Sequence, residues 1–309
     1  MQVPTLLLCA RIQLFAPYPS AEVLQTHILP MDPLLKWAGG KRKLAEAIVA
    51  HTGRQFNRYV EPFLGGAAML LHLAPPHAIC SDINVELVNF YQVVQHQVDE
   101  LWHEININYL PHHAEEFFYH VRKMDRDPRT MDAMTPMQRA ARFVYLNKTC
   151  YNGLWRVNRH GQNNAPWGKY QHPTILDEAN LMAVHQYLSE NDVKILQADY
   201  AVTARLAEAG DFVYFDPPYD DEKQAGFVGY SAGGFTRANQ ADLRALCDEL
   251  VDRGVHVAVS NADTPFIRQL YADERYRIYD DLRARRNIGA NAERRGVVCE
   301  LLIEGGRGA

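Results

Sequence analysis

Short apolar runs that stop at polar turns recur along this chain and set its expected architecture. Phe212-Val213-Tyr214-Phe215 is aromatic and β-branched, stands between Asp211 and Asp216, and reads as a strand buried on both faces. Similar short runs lie at Arg58–Glu61, Ala78–Ser81, Val193–Gln197 and His256–Ser260. Between them the spacing changes to three and four. Leu44, Ala47 and Ile48 predict a helix over 43–50, and the small residues after Gly66 predict another. Further helices are expected from about Val85 and over 238–252. Strand, turn and helix in repetition predict an α/β doubly wound sheet with parallel inner strands. Tyr276–Tyr279 and Val297–Ile303 return like a hairpin and predict an antiparallel edge. Residues 101–190 break the rhythm with a mostly helical pattern and no strand-like alternation, so they read as an insertion. Residues 1–30 precede every recognisable element and read as a disordered extension.

Candidate chemistry collects at the strand ends, where open α/β sheets bind their ligands. After Phe215, Pro217 and Pro218 forbid further ladder pairing and stiffen the turn. The turn offers the Asp216 carboxylate, proline carbonyls and the aromatic face of Tyr219. That set suits a flat heterocycle with an exocyclic amino group: oxygens accept its two hydrogens, and the ring stacks on Tyr219. Four such residues also occur in ordinary strand-ending turns. Glu61 to Ala67 reads as strand, glycine turn and helix, in which Gly65 lets the backbone approach a ligand. It lacks the full G-x-G-x-x-G, so a pyrophosphate is not its obvious ligand. Roughly 20 residues further on, an acid at a strand end would hold a ribose diol, and Asp82 stands there. Its plainer alternative is helix capping by Asp82 or Asn84. Lys36 to Lys41 sets a glycine pair before a helix, which can present N–H groups to an anion. Leu35 and Arg42 stand where a triphosphate loop needs glycine and Ser/Thr, so no nucleoside triphosphate is implied.

Composition changes this picture in one place. The 309 residues are 47% hydrophobic and 22% charged, which fits one large domain with a sizeable insertion. A net charge of −5 gives no global attraction to nucleic acid. From Arg122 to Lys169, however, bases far outnumber Asp125, Asp127 and Asp132, and they alternate with Tyr145, Tyr151, Trp155, Trp167 and Tyr170. Asn147, Asn152, Asn158, Asn163 and Asn164 add groups that read base edges, a nucleic-acid profile. Arg283, Arg285, Arg286, Arg294 and Arg295 form a second basic patch, and Asp220–Gly234 reads as a mobile loop beside the site. Five scattered cysteines without a C-x-x-C pair suggest a reduced, cytosolic chain without structural zinc. Arg11 interrupts the apolar residues 4–16, so neither a signal peptide nor a membrane span is expected.

In this order the motifs resemble those of the DNA adenine methyltransferase (Dam) family of N6-adenine methyltransferases, from about Leu34 to the C-terminus. The family's K-W-A-G-G-K stands as Lys36 to Lys41, its E-P-F-x-G-x-G/A as Glu61 to Ala67, and its A-D-I-N as Ser81 to Asn84. Its D-P-P-Y is Asp216 to Tyr219, and its later S-N pair is Ser260-Asn261. Its insert motif L-N-R-x-x-Y-N-G-L-x-R-x-N runs through Leu146, Asn147, Lys148, Tyr151, Asn152, Gly153, Leu154, Arg156 and Asn158, and continues as Pro166 to Tyr170. Two stretches depart from the family, Gln162-Asn163-Asn164 and Asn287 to Ala292. They bear on the target sequence rather than on the chemistry.

The resemblance implies a Rossmann-like S-adenosylmethionine-dependent methyltransferase fold with a mainly helical target-recognition insertion at 101–190, the catalytic domain comprising 31–100 and 191–309. It implies a cytoplasmic, bacterial or phage-encoded monomer acting on an adenine flipped out of double-stranded DNA, within GATC, with no metal. Catalysis would fall to Asp216, Pro217, Pro218 and Tyr219, with Phe235 as a further stacking ring. The cofactor would lie against Trp37, Ala38, Gly39, Lys41, Glu61, Phe63, Gly65, Asp82, Ile83 and Asp216, with Asp199 added as an acceptor for its adenine amino group. DNA would meet Lys36, Asn147, Lys148, Tyr151, Asn152, Arg156 and Asn158, with Lys148 and Arg159 on phosphates and Lys36 and Arg156 on guanines. Two alternatives are RNA adenine methylation, against which the Y-N-G insert argues, and a catalytically silent DNA-binding protein, against which the intact Asp216, Tyr219 and Asp82 argue.

Overall fold

The computed structural model describes residues 31–37, 41, 44–153, 155–220, 235–285 and 297–306, apart from the side chains of 283–285 and 297–299. In chain order the elements are α1 (Ala45–Thr52), β1 (Tyr59–Glu61), α2 (Ala68–Leu73), β2 (His77–Asp82), α3 (Val85–His96) and α4 (Val98–Glu104). Then come α5 (Glu115–Lys123), α6 (Pro128–Ala133), α7 (Pro136–Thr149), α8 (Glu178–Glu190), β3 (Asp192–Gln197), α9 (Tyr200–Ala204) and β4 (Phe212–Phe215). The chain closes with α10 (Arg237–Asp252), β5 (His256–Ala262), α11 (Pro265–Leu270), β6 (Tyr276–Arg285) and β7 (Val297–Gly305).

The strands form one seven-stranded sheet in the order β3-β2-β1-β4-β5-β7-β6. The first five are parallel, and β7 inserts antiparallel between β5 and β6. The expected antiparallel edge is therefore present, and β6 runs well past Tyr279 with a register shift between Tyr279 and Leu282. From β1 the chain winds outward to β2 and β3, then returns to lay β4 beside β1, with Tyr59 opposite Phe212. Strand order reverses there, which opens a crevice at the carboxyl ends of β1 and β4.

Alternation divides the core. Tyr59, Cys80, Phe212, Tyr214 and Ala258 face the helical layer containing α3, α7 and α8. Val60, Val213, Phe215, Val257 and Val259 face the layer of α10 and α11. Both faces of β4 are covered, as its unbroken apolar run predicts. Several helices begin at side-chain caps. Asn84 accepts from Glu86 and Leu87 N–H groups, and Thr135 with Gln138 closes a reciprocal box at α7, where Pro136 sits at the first helical position. Among the described residues no helix is long and apolar enough to cross a membrane.

The helices of 101–190 share the sheet's own core: α7 packs along α3, and α8 packs on α3 and β3. The expectation of no strand pairing there misses a narrow hairpin, in which Val157 bridges Asn163 and Arg156 pairs with Asn164. It is too short and too polar for a period of two to show. It is anchored from behind. Asn163 N–H donates to Asp125 Oδ2 at 2.7 Å, and Arg142 pairs with the same oxygen at 3.0 Å. Arg142 is 2% exposed and also donates to the Val121 and Arg122 carbonyls. Arg142→Ala would remove one of the two arginines paired with Asp125, Arg126 being the other, so chemical denaturation is expected to show a loss of about 1.5–3 kcal/mol. A loss below about 1 kcal/mol, the scale of an exposed pair, would refute that role.

Candidate active site

The two prolines end β4 and turn the chain into the crevice. A chain of hydrogen bonds then fixes the turn. Gln240, buried in the first turn of α10, donates to the Pro218 carbonyl at 2.9 Å and accepts from Asn261 at 3.0 Å. Asn261 Oδ1 accepts from the Asp220 N–H at 3.2 Å. Asp220 is held in turn by Arg237 and Thr264. Beneath, the Tyr214 hydroxyl bonds Ser260 at 2.7 Å. The Ser260-Asn261 pair thus braces the turn from the adjacent strand. Among the described residues no hydrogen bond reaches the Pro217 carbonyl, which leaves it as an acceptor for a ligand.

Lys41 is buried against this turn. Its Nζ stands 2.8 Å from Asp216 Oδ1 and 3.7 Å from Glu300 Oε2, and lies 4.7 Å from the centre of the Tyr219 ring. The Tyr219 hydroxyl donates to Glu300 Oε2 at 2.8 Å. Oδ1 of Asp216 is sequestered, in an ion pair with Lys41 that is close but not aligned as a directed hydrogen bond. The Asp216 side chain as a whole keeps 20% exposure, so Oδ2 is the oxygen able to meet a ligand. Burial pushes the Asp216 carboxyl above its ordinary range, and the Lys41 charge opposes that rise.

Across the crevice, the Gly65-Gly66-Ala67 turn takes left-handed backbone at Gly65 (φ 48°) and at Ala67 (φ 57°). A Cβ on Gly65 would come within 3.0 Å of Trp37 Cδ1, so the indole seals the turn only because glycine is there. The left-handed alanine costs ~1–2 kcal/mol, which the surrounding contacts offset. Asp82 ties the turn to the end of β2: Oδ2 accepts from Gly65 N–H at 3.0 Å and Oδ1 from Asn84 N–H at 2.8 Å. Burial raises its pKa, and these backbone bonds oppose the rise. Ile83 beside it is 64% exposed. Phe63 stacks on Tyr200 at 5.1 Å, and Phe235 meets both edge-on at 5.9 Å. Phe235 thus belongs to this aromatic group, on the glycine-turn side. Glu61 lies below the turn rather than in it. It is 3% exposed, and its Oε2 accepts from Tyr59 and from Leu70 N–H, so it supports the turn from the core. Burial pushes its pKa well up. Asp199 sits exposed at the end of β3 and caps α9 through Ala201 N–H. Ala38 and Gly39 lie outside the described residues, as does the loop of 221–234.

A glycine turn, a strand-end carboxylate and a D-P-P-Y turn thus converge on one switch point, and a family comparison settles what they belong to. The sequence profile of the D12 class N6 adenine-specific DNA methyltransferases matches residues 37–285. This chain belongs to that family. It is 36% identical over 282 residues to "Type II methyltransferase M1.LlaDCHI" of Lactococcus lactis subsp. cremoris, covering 91% of this chain and 98% of that one. It is 35% identical to "Type II methyltransferase M.MjaIII" of Methanocaldococcus jannaschii, covering 89% and 99%. It is 33% identical to a "DNA adenine methylase" of Escherichia coli (strain K12), covering 87% and 93%.

The residues expected to face DNA in this adenine methyltransferase separate into two groups. Asn147 is a correction. It is fully buried, accepts from Lys36 N–H at 2.9 Å and donates to the Lys36 carbonyl at 2.8 Å, so its amide clamps the chain and is not exposed on the surface. Asn158 likewise shapes its own hairpin tip, accepting from His160 and Gln162 N–H groups and donating to the Gln162 side chain. Asn152 occupies the left-handed region at φ 55°. Lys36, Lys148, Tyr151 and Arg156 remain partly or well exposed. Lys36 Nζ donates to the Lys148 carbonyl at 3.2 Å and to the Tyr170 hydroxyl at 3.4 Å. Its stem packs on Gly153, where a Cβ would fall 2.3 Å from Lys36 Cβ. Arg156 is held as a fork by Asn164, through Oδ1 at 2.7 Å and the carbonyl at 3.1 Å. Arg159 is exposed at the hairpin tip. Leu154, Arg286, Arg294 and Arg295 fall outside the described residues, and of Arg283 and Arg285 only the backbone, in β6, is described.

Sequence reasoning missed Gln240 and Glu300. Neither stands in a motif, and the one signal for Glu300 is an acid inside the apolar run Val297 to Ile303. Asn261→Ala is expected to cost about 1–3 kcal/mol of stability, because Gln240 loses a buried partner. It should also lower methyl transfer more than ligand affinity. Equal turnover in the variant, compared by denaturation and by initial rates, would show that the brace is not needed.

Proposed function

We propose that this chain transfers a methyl group from S-adenosylmethionine to the N6 amino group of an adenine flipped out of double-stranded DNA. The carrying observation is the β4 turn, which brings the Asp216 carboxylate, the Pro217 carbonyl and the Tyr219 ring together directly after the strand. The cofactor's donor groups suit the crevice. Asp82 would hold the ribose diol, exposed Ile83 and the Phe63 group would cover the adenine, and Trp37 would lie beside the sulfonium. When bound, it supplies an activated methyl group on a positive sulfur.

The protein's own work is on the amino group. That nitrogen is a weak nucleophile because its lone pair is delocalised into the ring. Hydrogen bonds from it to Asp216 Oδ2 and the Pro217 carbonyl favour a tetrahedral nitrogen and stabilise its developing charge. Tyr219 stacks on the extruded base, which offsets part of the lost duplex stacking. The helical insert carries target recognition. Lys36 adjoins the glycine turn and would read a guanine beside the target adenine, while Arg156, pre-set by Asn164, would read further out. We take GATC as the target because the resemblance to the Dam family implies it. Transfer of labelled methyl to duplex DNA, followed by sequencing of the modified sites, tests both parts.

Asp216→Ala is expected to abolish transfer in a folded protein, and near-wild-type turnover would contradict the mechanism. A second expectation concerns pH. Burial first, and then the Lys36 charge, pull the Lys148 ammonium down to about 8. Lys148 is charged below that value and neutral above it, so a phosphate contact is present at low pH and lost as pH rises through it. DNA affinity should therefore fall between about pH 7 and 9, and Lys148→Arg should flatten the fall, since arginine stays charged. An identical pH profile for Lys148→Arg, measured by anisotropy, would take Lys148 off the DNA surface.

A further inference from the structure

Glu300 lies on β7, opposite Ala262 of β5, with a side chain only 8% exposed. Its neighbours Leu301, Leu302 and Ile303 are apolar and fully buried, and strand packing alone would favour another such residue. Instead its carboxylate accepts from the Tyr219 hydroxyl at 2.8 Å and stands 3.7 Å from Lys41, which is itself 2.8 Å from Asp216. Among the described residues, the charged and titratable groups that face it are Lys41, Asp216, Tyr219 and Tyr214. One buried cation therefore serves two carboxylates. Were Lys41 committed to Asp216 alone, it would draw charge from the oxygen that must accept the adenine amino hydrogen.

We propose that Glu300 is a positioning residue for methyl transfer: it fixes the Tyr219 ring through its hydroxyl and shares Lys41 with Asp216, so that Asp216 stays a strong acceptor. It acts through Lys41 and Tyr219 and touches neither substrate. This rests on the assignment of Asp216 as the amino-group acceptor, so the two are tested together.

Glu300→Gln keeps an oxygen for the Tyr219 hydroxyl and removes the charge. The single-turnover rate of methyl transfer is expected to fall roughly tenfold or more, with the affinity for S-adenosylmethionine changed less than about twofold. The acid limb of the rate profile should move to lower pH, because removing a negative neighbour eases ionisation of Asp216. A merely structural glutamate would lower the melting temperature and leave that limb in place. A folded Glu300→Gln with wild-type rate and an unmoved limb overturns the proposal. Should that variant fail to fold, Glu300→Asp carries the test: it keeps the charge but retracts it, so the rate falls while the limb stays within error of wild type. A wild-type rate in Glu300→Asp then overturns the proposal. Asp216→Ala run in parallel separates the two assignments. An active Asp216→Ala removes the acceptor reading itself, whereas an inactive one beside a wild-type Glu300→Gln removes only the role of Glu300.

Discussion

A buried lysine ammonium set against two carboxylates and an aromatic ring is the constraint on which the catalytic edge depends. Each charge there would be costly alone, and each is tolerable only in the company of the others. The arrangement needs β4 to stop where it does, β7 to lie two strands away from it in the sheet, and the segment before α1 to fold back over both. The prolines and the Gln240–Asn261 brace hold the first of these in place. A turn fixed in this way loses little freedom on meeting its substrate, which is how a preorganised acceptor gains over water.

The short stretch from Lys36 to Lys41 joins three functions. Asn147 clamps Lys36 to the helical insert, Trp37 seals the glycine turn, and Lys41 reaches the catalytic carboxylate. A base held by Lys36, a nucleoside against the glycine turn and an amino group at Asp216 would therefore all press on one piece of backbone. Gly153 is the hinge of that economy: its missing side chain lets Lys36 lie flat against the insert.

Contiguous chemistry was legible in the sequence, and assembled chemistry was not. The D-P-P-Y turn, the glycine turn and Asp82 each carry their meaning within a few neighbouring residues, and the positions of the strands along the chain followed from their apolar runs. Glu300 was invisible because its partner Tyr219 lies 81 positions away. Gln240 reads as a surface residue of a helix until α10 is seen to begin over Pro218. Asn147 was misread for a different reason. An amide that clamps a backbone and one that reads a base edge look alike in a motif, and only burial tells them apart. Glu61 was displaced in the same way, from the ligand side of the glycine turn to its underside.

The central claim is that the β4 turn receives the amino group of an extruded adenine. A crystal structure with duplex DNA and a non-reactive cofactor analogue tests it most directly. The account predicts the target adenine outside the helix, stacked on Tyr219, with its N6 within hydrogen-bond distance of Asp216 Oδ2 and the Pro217 carbonyl. An adenine still stacked in the duplex, or an extruded one whose amino group lies against neither oxygen, would contradict it.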